Sequence, residues 1–204
     1  MFKEAHAKTT VGDKLAFYGA WANSYDQDIA VIDYSGPSLA AKSLSAHFSG
    51  DREAAVVLDV ACGTGLVAEQ MKTYGFRNFV GIDGSKGMLE EAQRKELYQD
   101  LKQCILGKQL LPVQRRSFDV VVICAALSVH LAPFTVVREL CNACKPGGYV
   151  VMTCFHSPEN LEYNTALECE LKHMEKEGLR SCVECNVTEI QKRRAGSVYL
   201  YKTV

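Results

Sequence analysis

Short apolar runs separated by longer segments of helical spacing predict strands that alternate with helices. The runs at 56–60, 78–83 and 118–127 are rich in valine and isoleucine and too short for buried helices. Near-continuous apolar runs of this kind are typical of strands buried on both faces of a parallel sheet. The segments at 66–74 and 88–99 carry helical patterns between the strands. The pattern therefore predicts an α/β fold.

The rest of the chain extends this alternation and ends in two strand-like runs. These two runs predict an antiparallel edge hairpin, since only a short basic turn separates them. The whole pattern predicts a doubly wound, Rossmann-like sheet of about seven strands, mostly parallel with an antiparallel C-terminal hairpin, and helices on both faces. The further predicted elements are a strand at 104–106, a helix at 134–144, a turn at 145–148, a strand at 149–155, a helix at 161–177 and hairpin strands at 179–190 and 198–204.

An aromatic helical segment precedes the first strand. Phe17, Tyr18, Trp21 and Tyr25 recur at spacings of three to four residues, and the polar stretch 49–53 ends the segment. One interpretation is a helix that packs its aromatic stripe against the core. We therefore divide the chain into an N-terminal helical segment, 1–48, and a domain, 49–204.

Composition restricts the classes of partner. The chain has 204 residues, 23% charged and 48% hydrophobic, which is ordinary for a single globular domain. A net charge of −1 provides no overall field toward nucleic acid or an anionic membrane, so neither is an expected partner. No run has the apolar length of a membrane span or of a signal-peptide core. We expect a cytoplasmic protein, without excluding the nucleus, and we favour a monomer.

The nine cysteines predict a reducing compartment and no metal site. Two C-x-x-C pairs occur, Cys141 with Cys144 and Cys182 with Cys185. The second pair lies in a strand-like run, where residues three apart point to opposite faces. Because a tetrahedral site needs four converging thiolates, the two pairs do not predict one.

The strongest chemical signal is a glycine-rich turn after the first strand. Gly63 and Gly65 permit close approach of a ligand to the backbone, and the helix that begins at Leu66 offers free N–H groups to an anionic group. Asp83 ends the second strand, eighteen residues beyond Gly65. A carboxylate at that distance is placed to accept the hydroxyls of a ribose.

A nicotinamide-dependent dehydrogenase is the main alternative. Such enzymes carry a G-x-G-x-x-G fingerprint. Here Ala68 stands in place of the third glycine, and this difference alone is weak evidence against them. Asp59 discriminates better, because an acid two residues before the loop suits a ligand with an ammonium group and is unfavourable beside a pyrophosphate. A sulfonium cofactor with an amino-acid tail matches both signs of charge.

Four motifs in order resemble those of class I S-adenosylmethionine-dependent methyltransferases. They are LDVACGTG at 58–65, GIDGS at 81–85 followed by Met88 and Leu89, SFDVV at 117–121, and KPGGY at 145–149. The resemblance implies S-adenosylmethionine as cofactor and S-adenosylhomocysteine as product. It also implies that the aromatic N-terminal segment folds over the cofactor as a lid, which remains open beside the packing interpretation.

The resemblance carries roles to individual positions. Asp59 supports the amino group, Asp83 holds the ribose, and Met88, also a core candidate, lies with Leu106 against the adenine. Many relatives have an acid after the third strand where this chain has Gly107 and Lys108, so adenine recognition here depends on backbone or apolar contact. The predicted cofactor positions are Trp21, Tyr25, Asp59, Ala61, Gly63, Gly65, Asp83, Gly84, Met88, Leu106, Gly107 and Ala125.

The predicted reaction is in-line displacement of the methyl group onto a small molecule or a protein side chain. The chain lacks the Asn/Asp-Pro-Pro-aromatic turn of amide and adenine methylases after its fourth strand, and it lacks a Pro-Cys pair. His130 lies near the expected substrate side and is either structural or a general base. Catalysis otherwise depends on alignment. The alternative is a protein that binds S-adenosylmethionine without turnover.

Overall fold

The computed structural model describes residues 10–129 and 131–204. Helices α1 to α6 are Val11–Ala30, Gly36–His47, Leu66–Thr73, Lys86–Arg94, Val136–Ala143 and Leu161–Lys176, with a short 3-10 helix at Pro158–Asn160. Strands β1 to β7 are Val56–Val60, Asn78–Asp83, Tyr98–Gln103, Phe118–Cys124, Cys144–Phe155, Arg180–Gln191 and Arg194–Thr203. The first nine residues of the predicted N-terminal segment lie outside the described residues.

The seven strands form one mixed sheet in the order β3-β2-β1-β4-β5-β7-β6. The pairs among β1 to β5 are parallel, while β7 runs antiparallel to both β5 and β6. The predicted Rossmann-like sheet with its antiparallel C-terminal hairpin is therefore confirmed. The strand order reverses between β1 and β4, the point at which open α/β sheets bind their ligands.

Helices cover both faces because successive strand residues point to opposite sides. Leu58 and Val60 of β1 pack with α5 and α6, whereas Val57 packs with α2 and α3. Each face thus has its own buried apolar core. Among the described residues, every helix is too short or too polar for a membrane crossing.

The third strand corrects the sequence interpretation. A helix to residue 99 and a strand at 104–106 were expected, but α4 ends at Arg94 and β3 spans Tyr98–Gln103. Glu96 has a left-handed φ of 53°, which ends the helical turn. Because β3 is an edge strand and largely exposed, its sequence is polar and lacks the apolar run that marks buried strands.

Two smaller differences concern element ends. The N-terminal segment forms two helices, with Asp33 in the left-handed region between them. The predicted turn at 145–148 lies inside β5, which begins at Cys144. The pairing of β4 with β5 shifts register there, and Gly147 has a φ of 77°. A bulge of this kind keeps turn-forming residues within a strand.

Candidate functional site

A cavity of about 210 Å³ lies at the carboxyl ends of β1, β2 and β4, beneath α1. Ala61 and Gly63 follow β1, Asp83 ends β2 with Gly84 next to it, and Ala125 follows β4. Ala61 and Ala125 have φ values of 55° and 56°, a region that non-glycine residues rarely adopt. Backbone strain of this kind is concentrated at functional sites. The strand ends therefore turn sharply around one shared space.

The glycine turn leaves open space next to the backbone. Gly63 has a φ of 56°, and a Cβ added there would meet no atom within 4 Å. Gly65 has a φ of 95° and precedes the first residue of α3, but it does not line the cavity. A Cβ on Gly65 would lie 3.1 Å from the ring of Tyr98. Gly63 thus forms the cradle, and Gly65 permits the turn and the packing of Tyr98.

Asp83 joins the glycine turn to the end of β2. One carboxylate oxygen accepts the N–H of Gly63 at 2.9 Å, and the other accepts the N–H of Ser85 at 2.8 Å. Burial raises the pKa of Asp83, although these backbone N–H groups oppose the rise. The N–H of Gly84 acts in the same direction, and a carboxylate with about four lone-pair sites keeps acceptor capacity for a hydroxyl in the cavity. This acceptor suits the hydroxyls of a ribose.

Asp59 is a buried carboxyl in which only one oxygen accepts a hydrogen bond from the described residues. Its Oδ2 accepts the hydroxyl of Tyr98 at 2.7 Å, but Oδ1 has no hydrogen-bond partner among the described residues. Burial raises the pKa of Asp59 to about 7, the hydrogen bond from Tyr98 lowers it, and the charge of Asp83 raises it. A buried orphan acceptor beside a glycine turn fits a cofactor with an ammonium group. The residues present therefore fit S-adenosylmethionine, although Asp59 itself lies outside the cavity lining.

The aromatic stripe of α1 divides between lining and packing. Tyr18 and Tyr25 line the cavity, whereas Trp21 is buried and its Nε1 donates to Asp28 at 2.6 Å. The Trp21 and Tyr25 rings meet edge to face at 4.8 Å. Trp21 thus packs behind the two tyrosines, as the packing interpretation expects, and the lid role of the segment stays a prediction.

Helix α1 is fixed against the glycine turn. Asp26 accepts the hydroxyl of Thr64 at 2.5 Å, and its other oxygen lies 2.6 Å from Nζ of Lys95. A Cβ on Gly87 would lie only 2.7 Å from the carbonyl oxygen of Gly19, so α1 and α4 approach very closely at these two residues. The cavity is therefore covered by a helix with its own polar and steric anchors.

The structure brings together most of the predicted cofactor positions. Met88 is buried and also lines the cavity, so its core and lining roles coincide. Gly107 faces Pro133 and lies outside the lining, as do Trp21, Asp59 and Gly65. The eight predicted positions that line the cavity are Tyr25, Ala61, Gly63, Asp83, Gly84, Met88, Leu106 and Ala125.

Sequence reasoning missed the other end of the cavity. Tyr34 and Cys124 line it, with the Tyr34 hydroxyl oxygen 3.2 Å from Sγ of Cys124, and Phe155 and Arg194 lie beyond them. Cys124 resembles any buried strand cysteine, and Arg194 lies in a basic triplet that favours a solvated turn. Arg194 is the first residue of β7 and not part of the turn. Only its assignment to this strand could have indicated that it lines the cavity.

Two further sequence predictions concern catalysis and metal. His130 lies outside the described residues. Of the C-x-x-C cysteines, Cys144 is buried in β5, while Cys182 and Cys185 are exposed on β6. Within 10–129 and 131–204, no three His, Cys, Asp or Glu side chains are grouped closely enough to hold a metal ion.

Comparisons with known proteins agree with this geometry. Residues 58–152 match the family model described as a methyltransferase domain. The chain is 44% identical to human methyltransferase-like protein 27 over 87% of its own length and 72% of that protein. It is 31% identical to a demethylmenaquinone methyltransferase of Lactococcus lactis, covering 77% of this chain and 64% of the relative.

Solved structures show the same fold. An S-adenosylmethionine-dependent methyltransferase of Leishmania major superposes with a TM-score of 0.69 at 15% identity, covering 94% of this chain and 82% of that one. The resemblance inferred from the four sequence motifs is confirmed by these matches. The chain therefore belongs to the class I S-adenosylmethionine-dependent methyltransferases, and S-adenosylmethionine is its cofactor.

Proposed function

We propose that this methyltransferase methylates a small molecule that occupies the same cavity as the cofactor. The observation that carries the proposal is the continuity of the cavity from Asp83 to Phe155 across the carboxyl end of β4. Helix α1 covers this space, and a covered cavity favours a small acceptor over an exposed protein side chain. The names of two relatives support a small-molecule acceptor. One is a demethylmenaquinone methyltransferase, and the other is a ubiquinone biosynthesis O-methyltransferase.

The cofactor would lie against the glycine turn and the end of β2. Asp83 would accept the ribose hydroxyls, Gly63 would admit the methionine part, and Met88 and Leu106 would contact the adenine. S-adenosylmethionine, when bound, supplies a methyl group activated by the positive charge on sulfur. Residues 1–48, as far as they are described, would act as the lid over domain 49–204.

The four predicted positions outside the lining would act indirectly. Trp21 supports the cavity tyrosines, Gly65 permits the turn, and Gly107 permits the packing of Pro133. Asp59 would provide negative charge beneath the turn for the cofactor's amino group. These roles stay predictions, as does a cytoplasmic location.

Three protonated groups of the lining are unsuited to act as the base for the acceptor. Burial raises the pKa of the Tyr25 and Tyr34 hydroxyls above the ordinary range, and it raises that of the Cys124 thiol to about 11. These groups stay protonated at neutral pH and can donate hydrogen bonds without acting as bases. The protein's contribution to an in-line displacement is then alignment and exclusion of water, which provides on the order of 7 to 11 kcal/mol in well-oriented systems.

Transfer of a labelled methyl group tests this function. The purified protein is incubated with methyl-labelled S-adenosylmethionine and either a small-molecule extract or a dialysed protein extract. We expect label in the small-molecule products, and none with Asp83→Ala. Label confined to protein would overturn the acceptor class, and binding of cofactor without any transfer would show a binding protein instead of an enzyme.

A further inference from the structure

The far end of the cavity is a defined wall made by three separate parts of the chain. Tyr34 follows α1, Phe155 ends β5, and Arg194 begins β7. The Tyr34 and Phe155 rings are stacked, with centroids 5.8 Å apart and planes 28° from parallel. The guanidinium of Arg194 lies 5.7 Å from the centroid of Phe155. Aromatic surface and a cation thus adjoin at this wall.

Backbone hydrogen bonds hold the wall in place. The N–H of Ser35 donates to the carbonyl of Ile190 at 2.8 Å, which ties the α1–α2 connection to β6. The N–H of His156 donates to the carbonyl of Ala195 at 2.9 Å, which ties the end of β5 to β7. The β6–β7 turn therefore closes the cavity as a fixed part of the sheet.

Arg194 has unused hydrogen-bonding capacity. Its Nη1 donates to Oε1 of Gln191 at 3.3 Å, and no carboxylate among the described residues lies within 4.0 Å of it. A guanidinium carries five N–H donors in a rigid fork, and a carboxylate binds this fork with two parallel hydrogen bonds. Arg194 is therefore a half-buried cation at the cavity wall, and it has no acidic partner within residues 10–129 and 131–204.

Lys14, also a cation of the lining as far as the chain is described, differs from Arg194. Lys14 donates weakly to the carbonyl of Val129 at 3.4 Å and is attracted by Glu159, which also lines the cavity. Its charge is thus partly balanced within the protein. Positive charge available to a ligand is concentrated at Arg194.

The cavity that ends at Arg194 has both apolar and polar residues in its lining. Ile29, Ile32 and the stacked rings line it, and the Tyr34 hydroxyl is already engaged with Cys124. A ligand here gains by burying apolar surface, at roughly 25 cal/mol per Å². Its charge is best placed at the end where the guanidinium lies.

We propose that this wall is the acceptor subsite and that the methyl acceptor is a small organic acid, with its carboxylate on Arg194 and its apolar body on Tyr34 and Phe155. This inference rests on the proposed function and specifies the chemical class of its substrate. Arg194 binds and orients the acceptor by a group distant from the methylated atom.

Matched acid and amide probes test the subsite. The protein is saturated with S-adenosylhomocysteine and titrated calorimetrically with 3-phenylpropionate and, separately, with 3-phenylpropionamide, which has the same shape without the charge. We expect the acid to bind at least about tenfold more tightly than the amide. Arg194→Gln should abolish the difference, Arg194→Lys should keep part of it, and Lys192→Gln, an exposed neighbour in the same turn, should leave it unchanged.

The outcomes separate this inference from the proposed function. S-adenosylhomocysteine affinity and thermal stability should be the same in Arg194→Gln and in the unmodified protein, which shows that the change is local. Equal affinity for acid and amide, absence of binding by both, or an acid preference that survives Arg194→Gln overturns the carboxylate subsite. Failure of S-adenosylhomocysteine to bind the unmodified protein would overturn the proposed function itself.

Discussion

The two halves of the cavity differ in the sign of their ionisable groups. In the cofactor half, Asp59 is buried and Asp83 is partly buried, and neither carboxyl has a lysine or arginine within 4.0 Å among the described residues. In the acceptor half, which Tyr34, Phe155 and Arg194 form, Arg194 is a cation that has no carboxylate partner among the residues that the structure describes. A buried unpaired charge is costly, so each half is suited to a ligand of the opposite sign. The cationic cofactor and the proposed anionic acceptor would complete the two halves.

The halves also differ in how the chain builds them. Residues 56–88, which form β1, the glycine turn, α3, β2 and the start of α4, provide five of the eight predicted positions that line the cavity. The acceptor half combines residues as distant as Tyr34, Cys124 and Arg194. Local segments therefore determine the cofactor site, whereas the acceptor site exists only when the sheet and its C-terminal hairpin are assembled.

The largest predicted effect concerns the pH dependence of stability in the cofactor half. Because burial raises the pKa of Asp59 from 3.8 to about 7, the folded protein binds a proton more tightly than the unfolded chain between these values. This contribution to stability is complete below about pH 4 and is lost as the pH rises toward 7. Asp59→Asn should remove a slope of at most about 1.4 kcal/mol per pH unit, measured by denaturant unfolding of the cofactor-free protein.

A matched substitution separates this effect from surface charge. Asp100 is exposed on β3, so Asp100→Asn should leave the slope between pH 4 and 7 unchanged. Asparagine at position 59 can still accept the Tyr98 hydroxyl, so the fold should persist. Parallel pH profiles for Asp59→Asn and the unmodified protein would show that Asp59 is not an uncompensated acid.

A smaller effect is predicted where α1 covers the cavity. In Gly87→Ala the new Cβ would lie 2.7 Å from the backbone oxygen of Gly19, so α1 and α4 must separate. We expect a loss of about 1–3 kcal/mol in stability and weaker binding of S-adenosylhomocysteine, measured by thermal unfolding and calorimetry.

Gly12→Ala is the control for this substitution. A Cβ at Gly12 would meet only Oγ1 of Thr10 at 3.9 Å, so alanine should be neutral or stabilise α1 by up to about 1 kcal/mol. Equal stability and cofactor affinity for Gly87→Ala and Gly12→Ala would contradict a lid that depends on close packing against α4.

The sequence predicts the cofactor half of the cavity better than the acceptor half. The strand β2 and its terminal Asp83 could be predicted because an apolar run and a glycine turn mark them locally. The edge strand β3 could not, since its polar sequence resembles a surface helix. Tyr34 lies in a connection without periodicity, and its contacts with Cys124 and Phe155 depend on residues distant in sequence. Tertiary assembly, which local patterns do not encode, forms that half.

Calorimetric titration with S-adenosylhomocysteine tests the central claim most directly, namely that the acid at the end of β2 holds the cofactor in this cavity. The account predicts one site per chain, and Asp83→Ala should weaken binding at least tenfold, about 1.4 kcal/mol, while Asp100→Ala binds normally. Affinity unchanged in a folded Asp83→Ala protein would contradict the account.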